Sequence, residues 1–208
     1  MVRFYLRRLN RLEVGGLEHL PPGGGVVILS NHLSAVDVVV LPLCALQAYP
    51  DELPWQPAKA ELFGVPLLGF LIRKLRAFPV RRGGHDFRAM WRLVDLMRES
   101  KVILYPEGTR SRDGRLGRGQ RIVGRLLHLA RPRVIPAAIR GTARMLPPGR
   151  IWPRLGSRIE VRFGPPLELG EEFGKPLTRE VCEQVMNKVM AAIGELLAEG
   201  AHPERVSA

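Results

Sequence analysis

The sequence predicts an α/β domain, a single unit with a largely parallel central sheet flanked by helices. Three observations support this. Short apolar, β-rich runs recur at Val26–Ser30, Lys101–Tyr105 and Val134–Ile139. Helical windows with one apolar face alternate with them. No segment repeats at the 20–50-residue period of a solenoid or propeller. A chain of 208 residues is long enough for one domain with its own core.

Residues 1–12 read as a short basic amphipathic helix. Tyr5, Leu6, Leu9 and Leu12 share one side, and Arg3, Arg7, Arg8 and Arg11 the other. The pattern suits a membrane interface or packing against the domain itself. The domain proper spans residues 13–200, and residues 201–208 read as a loose tail. Val26–Ser30, directly after Gly23-Gly24-Gly25, reads as a buried strand. Val36–Ala48 reads as a helix despite Pro42, and Pro54–Lys59 as a short strand. Glu61–Leu75 has helical spacing broken at Gly64-Val65-Pro66, and Ala77–Val80 is a strand. Asp86–Arg98 is an amphipathic helix, with Phe87, Met90, Trp91, Val94 and Met97 on its apolar face. Strand Lys101–Tyr105, helix Gly119–Ala130 and strands Val134–Ile139 and Arg158–Phe163 follow. Thr178 is placed to cap a last helix that stops at Gly200.

The formal charge is +12. Residues 101–162 alone carry 15 basic and 3 acidic side chains. Such a field attracts phosphates, anionic lipid surfaces or an acidic protein. Nucleic acid is not expected, because the arginines are not interleaved with stacking aromatics. Neither a secretory leader nor a run of roughly 20 apolar residues is seen. Cys44 and Cys182 stand alone, which fits reduced thiols in a cytoplasmic protein. The five histidines are dispersed, without metal-ligand spacing. Nucleotide-binding glycine loops and a Gly-x-Ser-x-Gly elbow are missing.

Two segments carry chemistry, each where a strand hands over to a loop or helix, the edge at which open α/β sheets bind ligands. In Asn31-His32-Leu33-Ser34-Ala35-Val36-Asp37, a histidine precedes an aspartate by five residues. A carboxylate that orients an imidazole makes it a base for a hydroxyl; the structural alternative is a helix cap by Asp37. In Tyr105-Pro106-Glu107-Gly108-Thr109-Arg110-Ser111, glycine lets the backbone approach a ligand and arginine can hold phosphate. Glu107 is placed to accept from a hydroxyl or to hold Arg110. Together the segments point to transfer of a group onto an alcohol that carries a phosphate.

Read in order, these segments resemble the glycerophospholipid acyltransferase family. Asn31, His32 and Asp37 match its first motif, a histidine, four residues and an aspartate. Phe78-Pro79-Val80-Arg81-Arg82 stands where the second often reads Phe-Pro-Val-Asp-Arg, so Arg81 replaces an aspartate. Tyr105–Ser111 matches Phe-Pro-Glu-Gly-Thr-Arg-Ser, and Val134-Ile135-Pro136-Ala137-Ala138-Ile139 the apolar fourth motif. Gly16–Pro21 and Lys59–Phe63 are also similar, so the resemblance covers roughly residues 14–170.

The resemblance implies that fold, with His32 as base and Asp37 as its orienter. It implies that Arg82 and Arg110 bind the acceptor's phosphate, that Glu107, Gly108 and Thr109 shape its site, and that Arg81 and Pro136 belong to the substrate-binding set. The acceptor would be a lysophospholipid, 1-acyl-sn-glycerol 3-phosphate, giving phosphatidic acid. Acyl-CoA or acyl-carrier protein would be co-substrate, with no metal or bound cofactor. The enzyme would sit peripherally on the cytoplasmic face of an anionic membrane, through residues 1–12 and the apolar Leu62–Ile72 segment. Arg81 keeps open a lyso-aminolipid or glycolipid acceptor. A non-catalytic basic module binding membrane or nucleic acid is the reading from another class.

Overall fold

All five residues of β2 (Val26–Ser30) are buried, which requires cover on both faces of the sheet. The computed structural model describes residues 10–81, 86–147, 150 and 152–199, apart from the side chains of residues 67 and 68, and it shows that cover. Strands β1 (Arg11–Gly15), β2, β5 (Lys101–Leu104), β6 (Arg133–Arg140) and β7 (Arg158–Phe163) form one sheet in the order β1-β7-β6-β2-β5. β2 lies parallel to β5 and β6, and β1 parallel to β7, while β6 and β7 are antiparallel. A second parallel pair, β3 (Gln56–Lys59) and β4 (Ala77–Val80), extends the sheet past β5 through a parallel bridge between Trp55 and Val102. Strands β2 to β6 therefore all end at one edge, and the segments that follow them meet there.

The helices in chain order are α1 (Asp37–Ala45), α2 (Pro66–Lys74), α3 (Phe87–Glu99), α4 (Arg121–Ala130), α5 (Thr142–Met145), α6 (Gly170–Gly174) and α7 (Arg179–Glu199). On one face of the sheet, Val40, Leu41 and Cys44 of α1 pack on Ile28, Ile103 and Ile135. On the other, α3, α4 and α7 cover Val27, Leu29, Val102 and Val134. Pro42 lies inside α1. A proline there has no N–H for the carbonyl four residues back, and the Gln56 side-chain amide donates to that Val38 carbonyl instead, at 3.1 Å.

The predicted α/β architecture is the observed one, with strands Val26–Ser30, Ala77–Val80 and Arg158–Phe163 at the expected bounds. Thr178 caps α7 by accepting from the Val181 N–H at 3.3 Å. Cys44 and Cys182 are buried free thiols. Among the described residues, no helix is long and apolar enough to cross a membrane.

Two expectations are corrected. Arg11 and Leu12 belong to β1, not to a helix over residues 1–12; residues 1–9 and the 201–208 tail lie outside the described residues. β1 is short, and its partner β7 lies far along the chain, so its alternation also fits a helical wheel. The apolar face of α3 is turned toward Ala89 and Leu93. These two pack inward with Val94 and Met97, while Phe87 and Trp91 are 60% and 55% exposed. Asp86 caps the helix by accepting from the Ala89 N–H at 3.1 Å, and Leu93, Val94 and Met97 pack on Val27, Leu29 and Val102 of the sheet.

Candidate active site

β2 ends where Asn31 takes over its pairing with a side chain. The buried Asn31 amide accepts from the Ile139 N–H at 2.8 Å and donates to the Ile139 carbonyl at 2.9 Å. β6 thus keeps its hydrogen-bonding partner while the main chain of β2 turns away. His32 is the first residue released by that turn.

The His32 Nδ1 and Asp37 Oδ2 atoms are 2.8 Å apart. The same Asp37 oxygen accepts from the Leu33 and Ser34 N–H groups at 2.7 and 2.8 Å. A carboxylate only accepts, so the Nδ1–H is the donor, and in a neutral imidazole the lone pair is then on Nε2. Asp37 is fully buried, and its Oδ1 has no hydrogen-bond partner. Its charge is placed favourably at the first turn of α1. The His32 side chain is 15% exposed, so the imidazole can meet a substrate while the carboxylate cannot. One carboxylate oxygen thus shapes the 32–37 turn, seats the helix and orients the His32 imidazole.

The second segment holds His32 from outside. The His32 N–H donates to Glu107 Oε1 at 3.0 Å, and the Ser111 N–H donates to the His32 carbonyl at 2.7 Å. Glu107 Oε2 accepts from the Gly117 N–H at 2.9 Å. The buried Glu107 carboxylate is therefore engaged on both oxygens, and it holds the His32 backbone rather than Arg110. Gly108 has φ +69°, and a Cβ there would collide with the Gln120 amide that donates to the Glu107 carbonyl. A side chain at this position would be strained and would disturb that tie.

The Tyr105 ring stacks on the His32 imidazole, with centroids 4.2 Å apart and planes inclined at 21°. Burial, and secondarily the Asp37 charge, hold the Tyr105 phenol well above its usual range, so it stays neutral. Its hydroxyl is buried without a partner. Tyr105→Phe keeps the stacking and removes only that unsatisfied group. It is expected to leave activity within about twofold and stability unchanged or slightly raised, as turnover and thermal unfolding of the variant would show.

The remaining candidates are distributed unevenly. Thr109 and Arg110 are exposed on the same loop, between Glu107 and Ser111, which both bond the His32 backbone. Arg81 is exposed just past the end of β4, at the same edge of the sheet, and its N–H lies 3.4 Å from Asp86 Oδ2. Arg82 lies outside the described residues. Pro136 is buried within β6, opposite Leu29, and accepts from the Gly164 N–H at 2.8 Å. It is set into the sheet rather than at its edge. A cleft of about 530 Å³ opens beside Asn31 and Leu33, bounded by Arg115, Leu116, Arg140 and Leu197.

Comparison with known proteins fits this geometry. The acyltransferase family matches residues 11–140, more than half of the chain. The chain belongs to the acyltransferase family. It is 31% identical over 132 residues to the 1-acyl-sn-glycerol-3-phosphate acyltransferase of Bacillus subtilis, covering 62% of this chain and 63% of that one. It is 28% identical over 206 residues to the Pseudomonas aeruginosa protein of the same name, covering 93% and 74%. A chloroplastic 1-acyl-sn-glycerol-3-phosphate acyltransferase of Brassica napus is 29% identical over 143 residues, or 67% of this chain, but this chain spans only 40% of that protein's length. The crystal structure of the Thermotoga maritima 1-acyl-sn-glycerophosphate acyltransferase PlsC superposes with a TM-score of 0.70 at 22% identity, over 98% of this chain and 78% of that one. The fold is therefore shared.

Three parts of this acyltransferase-family site escape sequence reasoning. The Tyr105 stacking is one. The others are the exchange of hydrogen bonds between Asn31 and Ile139, and the grip of Glu107 on the His32 backbone. Asn31 and Glu107 both stand in the motifs, but their partners lie 108 and 75 residues away along the chain.

Proposed function

We propose that the protein transfers a fatty acyl chain from acyl-CoA or acyl-carrier protein to the free hydroxyl of a lysophospholipid. 1-Acyl-sn-glycerol 3-phosphate is the acceptor and phosphatidic acid the product. The observation that carries this reading is the His32–Asp37 pair, with Nδ1 committed to the carboxylate and Nε2 left to the substrate. The family and the names of the relatives supply the acyl group and the acceptor.

The acceptor hydroxyl gives its proton to His32 Nε2 as its oxygen attacks the thioester carbonyl. The Asp37 charge stabilises the imidazolium that forms. The carbon–sulfur bond then breaks, and the thiolate takes the proton from the imidazolium. Ester and free thiol leave, and the base is restored. Both substrates are held at one sheet edge, which contributes to the rate by orientation. Arg110, with Arg82, holds the acceptor's phosphate, and Gly108 and Thr109 line the approach. The reaction takes place where cytoplasmic thioesters meet an anionic membrane surface.

Arg110→Ala is expected to raise the KM for a phosphate-bearing acceptor by about tenfold, the loss of a charge-assisted contact, with a smaller change in kcat. An unchanged KM removes Arg110 from this role. Arg81, exposed at the same edge where the similar motif has aspartate, favours a second reading with a different acceptor. A panel of lysophosphatidate, lyso-aminolipids and lyso-glycolipids, each run with acyl-CoA and with acyl-carrier protein, separates the two. Preference for the phosphate-bearing acceptor supports the first reading, and preference for a phosphate-free one supports the second.

A further inference from the structure

The connection between β6 and β7 leaves the sheet at the edge that carries His32. It is tied to the site directly, because Ser34, next but one to His32, donates its hydroxyl to the Leu146 carbonyl at 2.9 Å. Its neck is closed by the Arg154 N–H donating to the Met145 carbonyl at 2.7 Å, and Met145 is anchored in the core. Beyond the neck, Trp152 is 82% exposed and Leu155 63% exposed. Trp152 is the most exposed large apolar side chain among the described residues. Arg144, Arg150 and Arg154 are exposed around it. From Asp113 to Glu160 the intervening chain has eleven arginines and no acidic residue.

A tryptophan and a leucine exposed beyond this neck lose favourable burial in water. Flanking arginines give the same loop a strong attraction for negative charge. An anionic bilayer satisfies both: the indole seats at the headgroup level, the leucine enters the acyl boundary, and the guanidinium groups meet lipid phosphates. A second line of exposed apolar side chains supports this orientation. Val65, Phe70 and Leu71 follow β3, on the other side of His32 along the sheet, with the Lys74 ammonium over the Phe70 ring.

We propose that the β6–β7 connection, through Trp152, Leu155 and its arginines, docks this protein on an anionic lipid surface with the His32 edge facing the bilayer. The docking deepens the proposed function, on which it rests only for the acceptor, a lipid presented from that surface. The test uses the full chain with vesicles of phosphatidylcholine, with and without phosphatidylglycerol. Anionic vesicles are expected to shift tryptophan emission to shorter wavelength. Trp152→Phe should abolish the shift, and Trp91→Phe should leave it. Trp152→Ser with Leu155→Ser is expected to weaken vesicle partitioning by about tenfold or more, while transfer to a short-chain, water-soluble acceptor stays at the wild-type rate.

Vesicle binding with the emission of Trp152 unchanged would overturn the proposal, as would failure to bind anionic vesicles at all. A Trp152 shift that depends on protein concentration without vesicles would assign the loop to a second copy of this chain, and also overturns it. Absence of transfer to every acceptor, with the vesicle results as expected, would instead remove the proposed reaction and leave the docking standing.

Discussion

His32→Ala is expected to lower kcat by about 10²- to 10⁴-fold, the usual contribution of a positioned base, while the protein stays folded. The structure makes this substitution clean. The tie to Glu107 and the tie from Ser111 both use the His32 main chain, so they survive loss of the side chain. Asp37 Oδ2 keeps its two backbone donors, Leu33 and Ser34. The stability cost is therefore about 1–2 kcal/mol, one charge-assisted hydrogen bond and its packing, visible as a modest drop in the denaturant midpoint. KM for the acceptor should move little, because the imidazole acts on the hydroxyl rather than on the phosphate.

Asp37 should behave differently, because one oxygen serves both the chemistry and the fold. Asp37→Ala removes three hydrogen bonds at once and leaves two backbone N–H groups without their acceptor at the start of α1. A stability loss of about 2–4 kcal/mol is expected, together with loss of activity. Asp37→Asn separates the two roles. Its carbonyl oxygen can replace Oδ2 and keep all three donors, so neither the turn nor the histidine tautomer changes. Its amide nitrogen then falls where Oδ1 is buried without a partner, at a cost of about 1–3 kcal/mol. The negative charge that stabilises the imidazolium is gone, and kcat is expected to fall by about 10²-fold or more. An Asp37→Asn enzyme that is folded and fully active would show that the carboxylate only caps the helix.

The strands and the pairing of His32 with Asp37 were legible because their signals are local. Val26–Ser30 is an apolar run that follows three glycines, and His32 and Asp37 lie on one turn. What was not legible depends on distant neighbours. β1 is a strand because β7 pairs with it. Phe87 and Trp91 face outward because the sheet meets α3 on its Leu93 and Met97 side. Glu107 looks like a substrate ligand in the sequence, and only the fold brings the His32 and Gly117 N–H groups to its two oxygens. The position of Pro136 within the sheet, away from its edge, follows from the register of β6 against β2 in the same way. The exposure of Trp152 likewise shows only in the fold.

In the proposed reaction His32, oriented by Asp37, makes the acceptor hydroxyl attack an acyl thioester. The most direct measurement follows both products, thiol release and esterified lipid, for the full chain and its His32→Ala variant, with 1-acyl-sn-glycerol 3-phosphate and both thioester donors. The expected result is stoichiometric thiol and phosphatidic acid from the wild type, and at least about a hundredfold less of both from the folded variant. Thiol release without lipid product, or transfer by His32→Ala at more than about a tenth of the wild-type rate, would contradict the account.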